Sequence, residues 1–327
     1  MVPPETSLAR FAEFVAALGR GPGKSRALTR DEAREAFTMA LAGDVDPHQL
    51  GAFLMLLRYR GEDGAQIAGM VEAAQATLPP APPADLDWPS YGAGRTRGLP
   101  WFLLAALALA RSGVRVLMHG SNELGSAVSV ADGLAALGLA PARDMDAAAE
   151  SLDRTGFAYL PVATLAPALD RLLGLRRLFG LRSPVNTASR LLDPARAPAG
   201  VDGVFHPAYL DVHLAAAECL GRPRLLVLKG GGGEAERVPA KPGTAFLWSQ
   251  AGGRTEIALP GQPGLVLAET LQRSPDLFAA VWHGEATPQA AIMTIQATIG
   301  LALLALGRAQ DPGEAEAEAA RIWADRR

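Results

Sequence analysis

The chain has 327 residues, of which 49% are hydrophobic and 20% charged, and a formal net charge of -3. That composition belongs to a folded protein with room for one large domain or two modest ones, and excludes a disordered or fibrous chain. The near-neutral balance gives no overall field for a polyanion, and the single cysteine, Cys219, excludes an intrachain disulfide and a cysteine-rich metal site.

In chain order, residues 8–19 and 29–77 carry helical periodicity and almost no strand signal. Thr29 is placed as an N-cap, and Glu32 three residues on completes a capping box. A helix over 47 to about 59 puts Leu50, Phe53, Leu54 and Leu57 on one face, with Asp46 as its cap, and a third covers 63–76. Pro79, Pro80, Pro82 and Pro83 cannot continue a helix and read as a stiff linker. A helical domain is therefore expected over 1–78 and a linker over 79–90.

Short apolar runs follow, at 114–119, 157–161, 203–205 and 225–229, with the pattern of strands buried on both faces. Helical stretches at 100–112, 129–137, 165–173 and 207–220 alternate with them, which implies a mainly parallel sheet covered by helices. Residues 239–267 are β-rich, with candidate strands at 244–248, 255–258 and 265–267. A long helix over 288–306 is expected to pack back on the helical part, and the tail 314–327 reads as helical. The fold class is α/β: a small all-α N-terminal domain plus a larger α/β domain over 91–327 with a central, mainly parallel sheet. Pro3, Pro4 and Glu5 stand where an export signal would be basic. The longest apolar runs, 99–110 and 299–306, are about half the ~20 residues of a membrane span. No membrane partner and a cytoplasmic location are expected.

The stretch 28–76, LTRDEAREAFTMALAGDVDPHQLGAFLMLLRYRGEDGAQIAGMVEAAQA, resembles the N-terminal helical segment of anthranilate phosphoribosyltransferases and pyrimidine nucleoside phosphorylases. Val116-Leu-Met-His-Gly-Ser-Asn resembles that family's strand ending in Lys-His-Gly-Asn-Arg, and Ala131-Asp-Gly-Leu-Ala-Ala-Leu-Gly its following helix. Arg176-Arg-Leu-Phe-Gly-Leu-Arg-Ser-Pro-Val-Asn resembles its Arg-rich segment, and Leu191-Leu-Asp-Pro stands where the family has Leu-x-Asn-Pro. The resemblance implies the anthranilate phosphoribosyltransferase-like fold, a homodimer through the helical domain, phosphoribosyl pyrophosphate as donor and Mg²⁺ as its counter-ion.

Three departures bear on function. The family's Gly-Thr-Gly-Gly-Asp loop and Asn-x-Ser-Thr helix start cradle pyrophosphate with N–H groups and hydroxyls. Here the stretch is Tyr91-Gly-Ala-Gly-Arg-Thr-Arg-Gly-Leu-Pro-Trp-Phe, which keeps Gly92 and Gly94, brings in Arg95 and Arg97, and lacks the hydroxyls. The family's phosphate-neutralising lysine is Met118, leaving His119, Gly120, Ser121 and Asn122 as donor-cleft candidates. The family's Asp-Gly-x-Asp-Glu metal run becomes Lys229-Gly-Gly-Gly-Gly-Glu-Ala-Glu-Arg, so Lys229, Gly230 and Gly231 join the candidates for holding an anion. Only Glu234 and Glu236 are left there as metal ligands, oxygen donors of the kind Mg²⁺ takes. Arg176, by that resemblance, aligns with the arginine that contacts the anthranilate carboxylate, and Arg182 and Asn186 occupy family positions as acceptor or anion-binding candidates.

The altered loops resemble the YbiB-like branch of the family, which implies nucleic-acid-binding homodimers without evident anthranilate activity. Residues 171–254 hold twelve basic residues against six acids, a local +6 that suits a phosphate backbone, DNA or RNA, without base readout. Trp101, Phe102 and Trp248 are the stacking candidates there. The expected function is thus a phosphoribosyltransferase-fold protein with degenerate donor and metal motifs that binds nucleic acid. The alternative is an active Mg²⁺-dependent phosphoribosyltransferase or related glycosyltransferase with an unidentified acceptor. No residue is assigned a catalytic role.

Overall fold

A computed structural model describes residues 5–21, 23–92, 98–121, 128–265 and 273–327. The chain forms two compact units and passes between them several times. The helical unit takes the chain up to Pro79, Ala166–Leu192 and Asp211–Gly221; the α/β unit takes Pro80–Leu165, Asp193–Leu210 and Arg222–Arg327.

α1 (Glu5–Gly19) opens the helical unit and buries Phe11, Phe14 and Leu18. The first turns of the next three helices have N–H groups without intrahelical partners, and the sequence supplies one cap for each. α2 (Arg30–Ala42) has the expected Thr29–Glu32 capping box. α3 (Pro47–Arg60) starts at Asp46, whose carboxylate accepts from the His48 and Gln49 N–H groups. α4 (Gly64–Gln75) starts at a second capping box, Asp63 with Gln66.

β1 (Leu86–Ser90) follows, inside the stretch expected as linker. It is buried throughout and lies third from one edge of the sheet. Its pairing with the neighbouring β4 stops at Asp87, so Pro89, which has no N–H, costs that ladder nothing. α5 (Trp101–Arg111), β2 (Val116–Gly120), α6 (Val130–Ala136), α7 (Met145–Thr155), β3 (Phe157–Pro161) and the single turn α8 (Val162–Leu165) complete the first half of this unit.

The chain then returns to the helical unit as α9 (Pro167–Gly174), α10 (Arg176–Phe179) and α11 (Val185–Arg190). β4 (Ala199–Val204) belongs to the α/β unit, most of α12 (Tyr209–Cys219) to the helical unit. β5 (Arg224–Lys229), β6 (Gly243–Ser249), β7 (Gly253–Leu259), α13 (Pro275–His283), α14 (Gln289–Leu306) and α15 (Pro312–Ala324) finish the chain. The strand expected at 265–267 is not there at Leu265, and its other two residues lie outside the described residues.

Among the described residues the strands form one sheet in the order β3-β2-β1-β4-β5-β6-β7. The first five are parallel, and β6 and β7 extend the far edge antiparallel. Alternation along the strands separates two faces. Leu86, Trp88, Val116, Met118, Tyr159, Val201, Leu226 and Leu228 join the main core cluster with α5 and α14. Asp87, His119 and Asp202, at the intervening positions, are buried too. α14 packs on β4, β5 and α5, in the α/β unit, rather than on the helical part as the sequence suggested. Its 18 residues would satisfy a membrane span by length and apolar character, but 72% of that window is buried in the protein, which makes it a core helix.

Candidate functional site

Sheet order fixes where a site can form. β1, β2 and β3 run outward in one direction and β4, β5 in the other, so the order reverses between β1 and β4. Beyond the carboxyl ends of parallel strands, such a reversal opens a crevice between diverging connections. The residues at those ends are Ser90, Tyr91 and Gly92 after β1, His119, Gly120 and Ser121 at β2, Val204 at β4 and Lys229 at β5.

The loop after β5 closes over this end of the sheet. The Gly230 N–H donates to the Val204 carbonyl at 3.1 Å, and Gly231–Gly233 form one 3₁₀ turn. A Cβ on Gly203 would sit 2.0 Å from the Glu234 carbonyl oxygen, and one on Gly230 would sit 1.6 Å from it. Both glycines are therefore required by close backbone approach, which brings the loop down onto the end of β4. Lys229 is exposed, while Glu234 and Glu236 are buried.

Glu236 Oε2 accepts a hydrogen bond from the Phe102 N–H at 3.0 Å, in the first turn of α5. A helix N-terminus attracts an anion through its open N–H groups and dipole. At α5 that anion is the chain's own carboxylate. Trp101 and Phe102 are buried in the core, so they are not the stacking platforms expected of them, and Trp248 donates its Nε1–H to the Arg222 carbonyl.

A divalent ion would find two carboxylates here, Glu234 and Glu236, and among the described residues no group of three metal-binding side chains. Mg²⁺ is commonly held by one or two carboxylates with substrate phosphates and water completing the shell. The donor set fits Mg²⁺ on those terms, with Glu236 already engaged by one oxygen.

Beneath the crevice lies a buried polar network that the sequence did not reveal. His119 Nε2 lies 3.2 Å from Asp87 Oδ1, and the Tyr91 hydroxyl and His119 Nδ1 share a hydrogen bond at 2.9 Å. Arg222 Nη2 bridges Asp87 Oδ2 and Asp193 Oδ2, each at 3.0 Å. Burial alone would raise the Asp87 carboxyl, but the adjacent His119 ring and the Arg222 charge hold it below its ordinary value. Asp193 is pushed up to about 6, mainly by burial and further by the Asp87 charge, against the pull of Arg222. His119, expected at the donor cleft, is a completely buried member of this network. One signal was legible: Asp87 between Leu86 and Trp88 is a polar residue inside an apolar strand.

The remaining candidates divide. Gly120 is packed so closely under β1 that a Cβ would lie 1.8 Å from the Ser90 carbonyl, a structural reason for glycine unrelated to phosphate. The Ser121 N–H donates to that same carbonyl at 3.1 Å. Gly94, Arg95, Arg97 and Asn122 lie outside the described residues. Arg176, Arg182 and Asn186 belong to the helical unit. There the Arg182 guanidinium is pushed down to about 10, by burial first and then by the charges of Arg176, Arg190 and Arg58.

The expected basic groove loses several members to internal work. Arg190, Arg222 and Arg237 are buried, and Arg224 donates to the carbonyls of Leu304 and Ala305. The twelve basic residues also divide between the two units, five in the helical unit and seven in the α/β unit.

Comparison with known proteins adds a consistent picture. Residues 12–77 match the helical bundle domain of a glycosyl transferase family and residues 102–320 its α/β domain. The chain is 31% identical over 321 residues to the anthranilate phosphoribosyltransferase of Methylobacterium nodulans, covering 95% of this chain and 93% of that one. It is likewise 31% identical to that of Methylorubrum populi over 90% of this chain and 92% of that one. Among solved structures, the anthranilate phosphoribosyltransferase of Thermus thermophilus superposes with a TM-score of 0.80 at 24% identity, covering 97% of this chain and 95% of the other. The enzyme from Saccharomyces cerevisiae, in complex with PRPP and Mg, gives 0.78 at 15% identity, with 97% and 94% covered.

Proposed function

The chain belongs to the glycosyl transferase family whose helical bundle and α/β domains it carries in order, and from that premise we propose that it is a phosphoribosyltransferase-type glycosyltransferase using phosphoribosyl pyrophosphate. The observation that carries this reading is near-full-length similarity, 31% identity over 95% of the chain, to proteins named anthranilate phosphoribosyltransferase. The crevice at the β1–β4 reversal supports it, because the exposed Lys229, the glycine turn after it, Glu234 and Glu236 all belong to that end of the sheet. Lys229 would neutralise the diphosphate as it leaves, and Mg²⁺, on Glu234 or Glu236, would supply further charge neutralisation. Catalysis of this kind rests on positioning and charge stabilisation, with little covalent work for side chains. The acceptor is not anthranilate by default, since the fold does not fix the substrate.

Calorimetric titration of phosphoribosyl pyrophosphate with Mg²⁺ tests the reading. The expected result is Mg²⁺-dependent heat, weakened about tenfold or more in Lys229→Met through loss of a charge-assisted contact. No heat at millimolar donor would sink it.

A second reading, a nucleic-acid-binding homodimer, keeps one favouring observation. Arg177, Arg196, Lys229, Lys241 and Arg254 are exposed, and Tyr59, Leu178 and Leu181 of the helical unit are exposed apolar side chains at 90%, 80% and 58%. It calls for salt-sensitive, sequence-tolerant shifts of DNA or RNA and a dimer by light scattering. The internal use of Arg190, Arg222 and Arg237 places it second. Either reading suits a soluble, cytoplasmic protein.

A further inference from the structure

The seam between β1 and β4 has the shortest ladder in the sheet. β1 pairs with β2 along its whole length, from Leu86↔Val116 to Ser90↔Gly120. Its ladder to β4 covers only Leu86↔Ala199 and Asp87↔Gly200, and it stops there, short of the crevice. At the last paired residue a side-chain link takes over. Arg222, just before β5, reaches Asp87 on β1 through Nη2, and the same nitrogen holds Asp193, ahead of β4, each at 3.0 Å. The guanidinium passes β4 at Gly200, where a Cβ would lie 2.7 Å from Nη2. Glycine there leaves the arginine its path from one half of the sheet to the other. Arg222 Nε and Nη1 are buried without a hydrogen-bond partner among the described residues, so the link hangs on one nitrogen.

Two carboxylates on one buried nitrogen are close neighbours, and a single guanidinium charge does not offset both. Within this trio, Asp87 and Arg222 balance when Asp193 is protonated; without that proton a net negative charge stays buried at the seam. The other groups facing the trio are His119, on the Oδ1 side of Asp87 with the Tyr91 hydroxyl behind it, and Asp202 of β4, whose charge acts on Arg222. Arg196, in the same turn as Asp193, is exposed.

We propose that the Asp87–Arg222–Asp193 trio is a proton-controlled clamp on the β1–β4 seam, closed while Asp193 holds a proton and loosened when that proton passes to solvent. The raised Asp193 carboxyl agrees in sign, since the clamped state then binds the proton more tightly than an open, solvated one. The crevice lies beyond the end of this ladder, so the clamp sets how firmly its base is held. It is a property of the sheet and stands or falls without the transferase reading.

Hydrogen exchange read by mass spectrometry on the whole chain, without ligand and corrected for the intrinsic effect of pH, tests the clamp. From about pH 5 to about pH 8, peptides covering 86–90 and 199–204 are expected to lose protection about tenfold or more, the factor that one unit of carboxyl shift carries. Residues 157–161 of β3, away from the seam, should stay within about twofold. Asp193→Asn keeps the side chain's size and cannot titrate, so its seam should exchange equally at both pH values. Gly200→Ala displaces the guanidinium and leaves every charge in the chain, so its seam at the lower pH should exchange as the wild type's does at the higher. Seam protection that is indifferent to pH, a loss shared equally by β3, a pH response retained in Asp193→Asn, or full protection in Gly200→Ala at the lower pH would each overturn the proposal. Should Asp193→Asn fail to fold, the wild-type chain and Gly200→Ala still decide it.

Discussion

Asp193 occupies a strained position, with φ at 40° in a region that side-chain-bearing residues avoid. Its carboxylate holds the conformation by accepting from the Ala197 N–H at 3.0 Å and pairing with Arg222. Its pKa is raised from 3.8 to about 6, so the folded chain binds that proton more tightly than the unfolded chain. The stability linked to this proton is fully present below about pH 3.8 and lost as pH rises through about 6. Asp87 works in the opposite sense, since its lowered pKa gives stability that disappears on acidification. In Asp193→Asn, the residue the resembling family carries there, the urea-derived stability should fall less between pH 4.5 and 6.5 than in the wild-type chain, by on the order of 1–2 kcal/mol. Parallel pH profiles for the two would show that Asp193 does not titrate in this window.

Among elements, α5 shows how one contact alters what a helix can do. Its first ten residues are buried, it has no side-chain cap of its own, and Glu236 from the loop after β5 bonds the Phe102 N–H. Glu236→Ala leaves a buried N–H without this partner and should cost about 1–3 kcal/mol in chemical denaturation. Glu236→Gln keeps an accepting oxygen and loses only the charge, so its cost should be smaller, about 0.3–1 kcal/mol. Equal losses for the two variants, or none, would mean that the carboxylate does not cap α5. Adding pyrophosphate to Glu236→Ala should recover part of the loss, because an anion can then reach the helix end.

For the whole molecule, the repeated passage of the chain between the units decides what can fold alone. α4 is completed by segments far along the chain. A Cβ on Gly64 would lie 2.4 Å from the Ala215 Cβ, Gln75 Nε2 donates to the Leu192 carbonyl at 2.8 Å, and α11 packs on α4. A fragment of residues 1–79 would leave this face of α4 uncovered and should lack a cooperative melt and dispersed amide resonances. A sharp, two-state transition in that fragment would contradict the division of the chain into these units.

Much of this architecture was legible locally. The Thr29–Glu32 box, the Asp46 cap and the apolar runs of β3 and β5 depend on contacts a few residues away or on burial on both faces, and sequence patterns record both. β1 was hidden because Pro79, Pro80, Pro82 and Pro83 dominate the signal before it, and because Pro89 is tolerated only where the ladder to β4 has ended. The site was harder to read. Arg222 looked like one more surface base, and only the sheet brings it to Asp87 across 135 residues. His119 looked like a cleft residue, and the strand alternation that turns it away from the core face of Met118 buries it on Tyr91 and Asp87 instead. The sequence by itself determined the family, the α/β class and the caps, since these follow from neighbouring residues and from near-full-length similarity. Only the tertiary structure decided which charges are spent inside the protein and which carboxylate sits on α5, because electrostatic partners are chosen by distance in space.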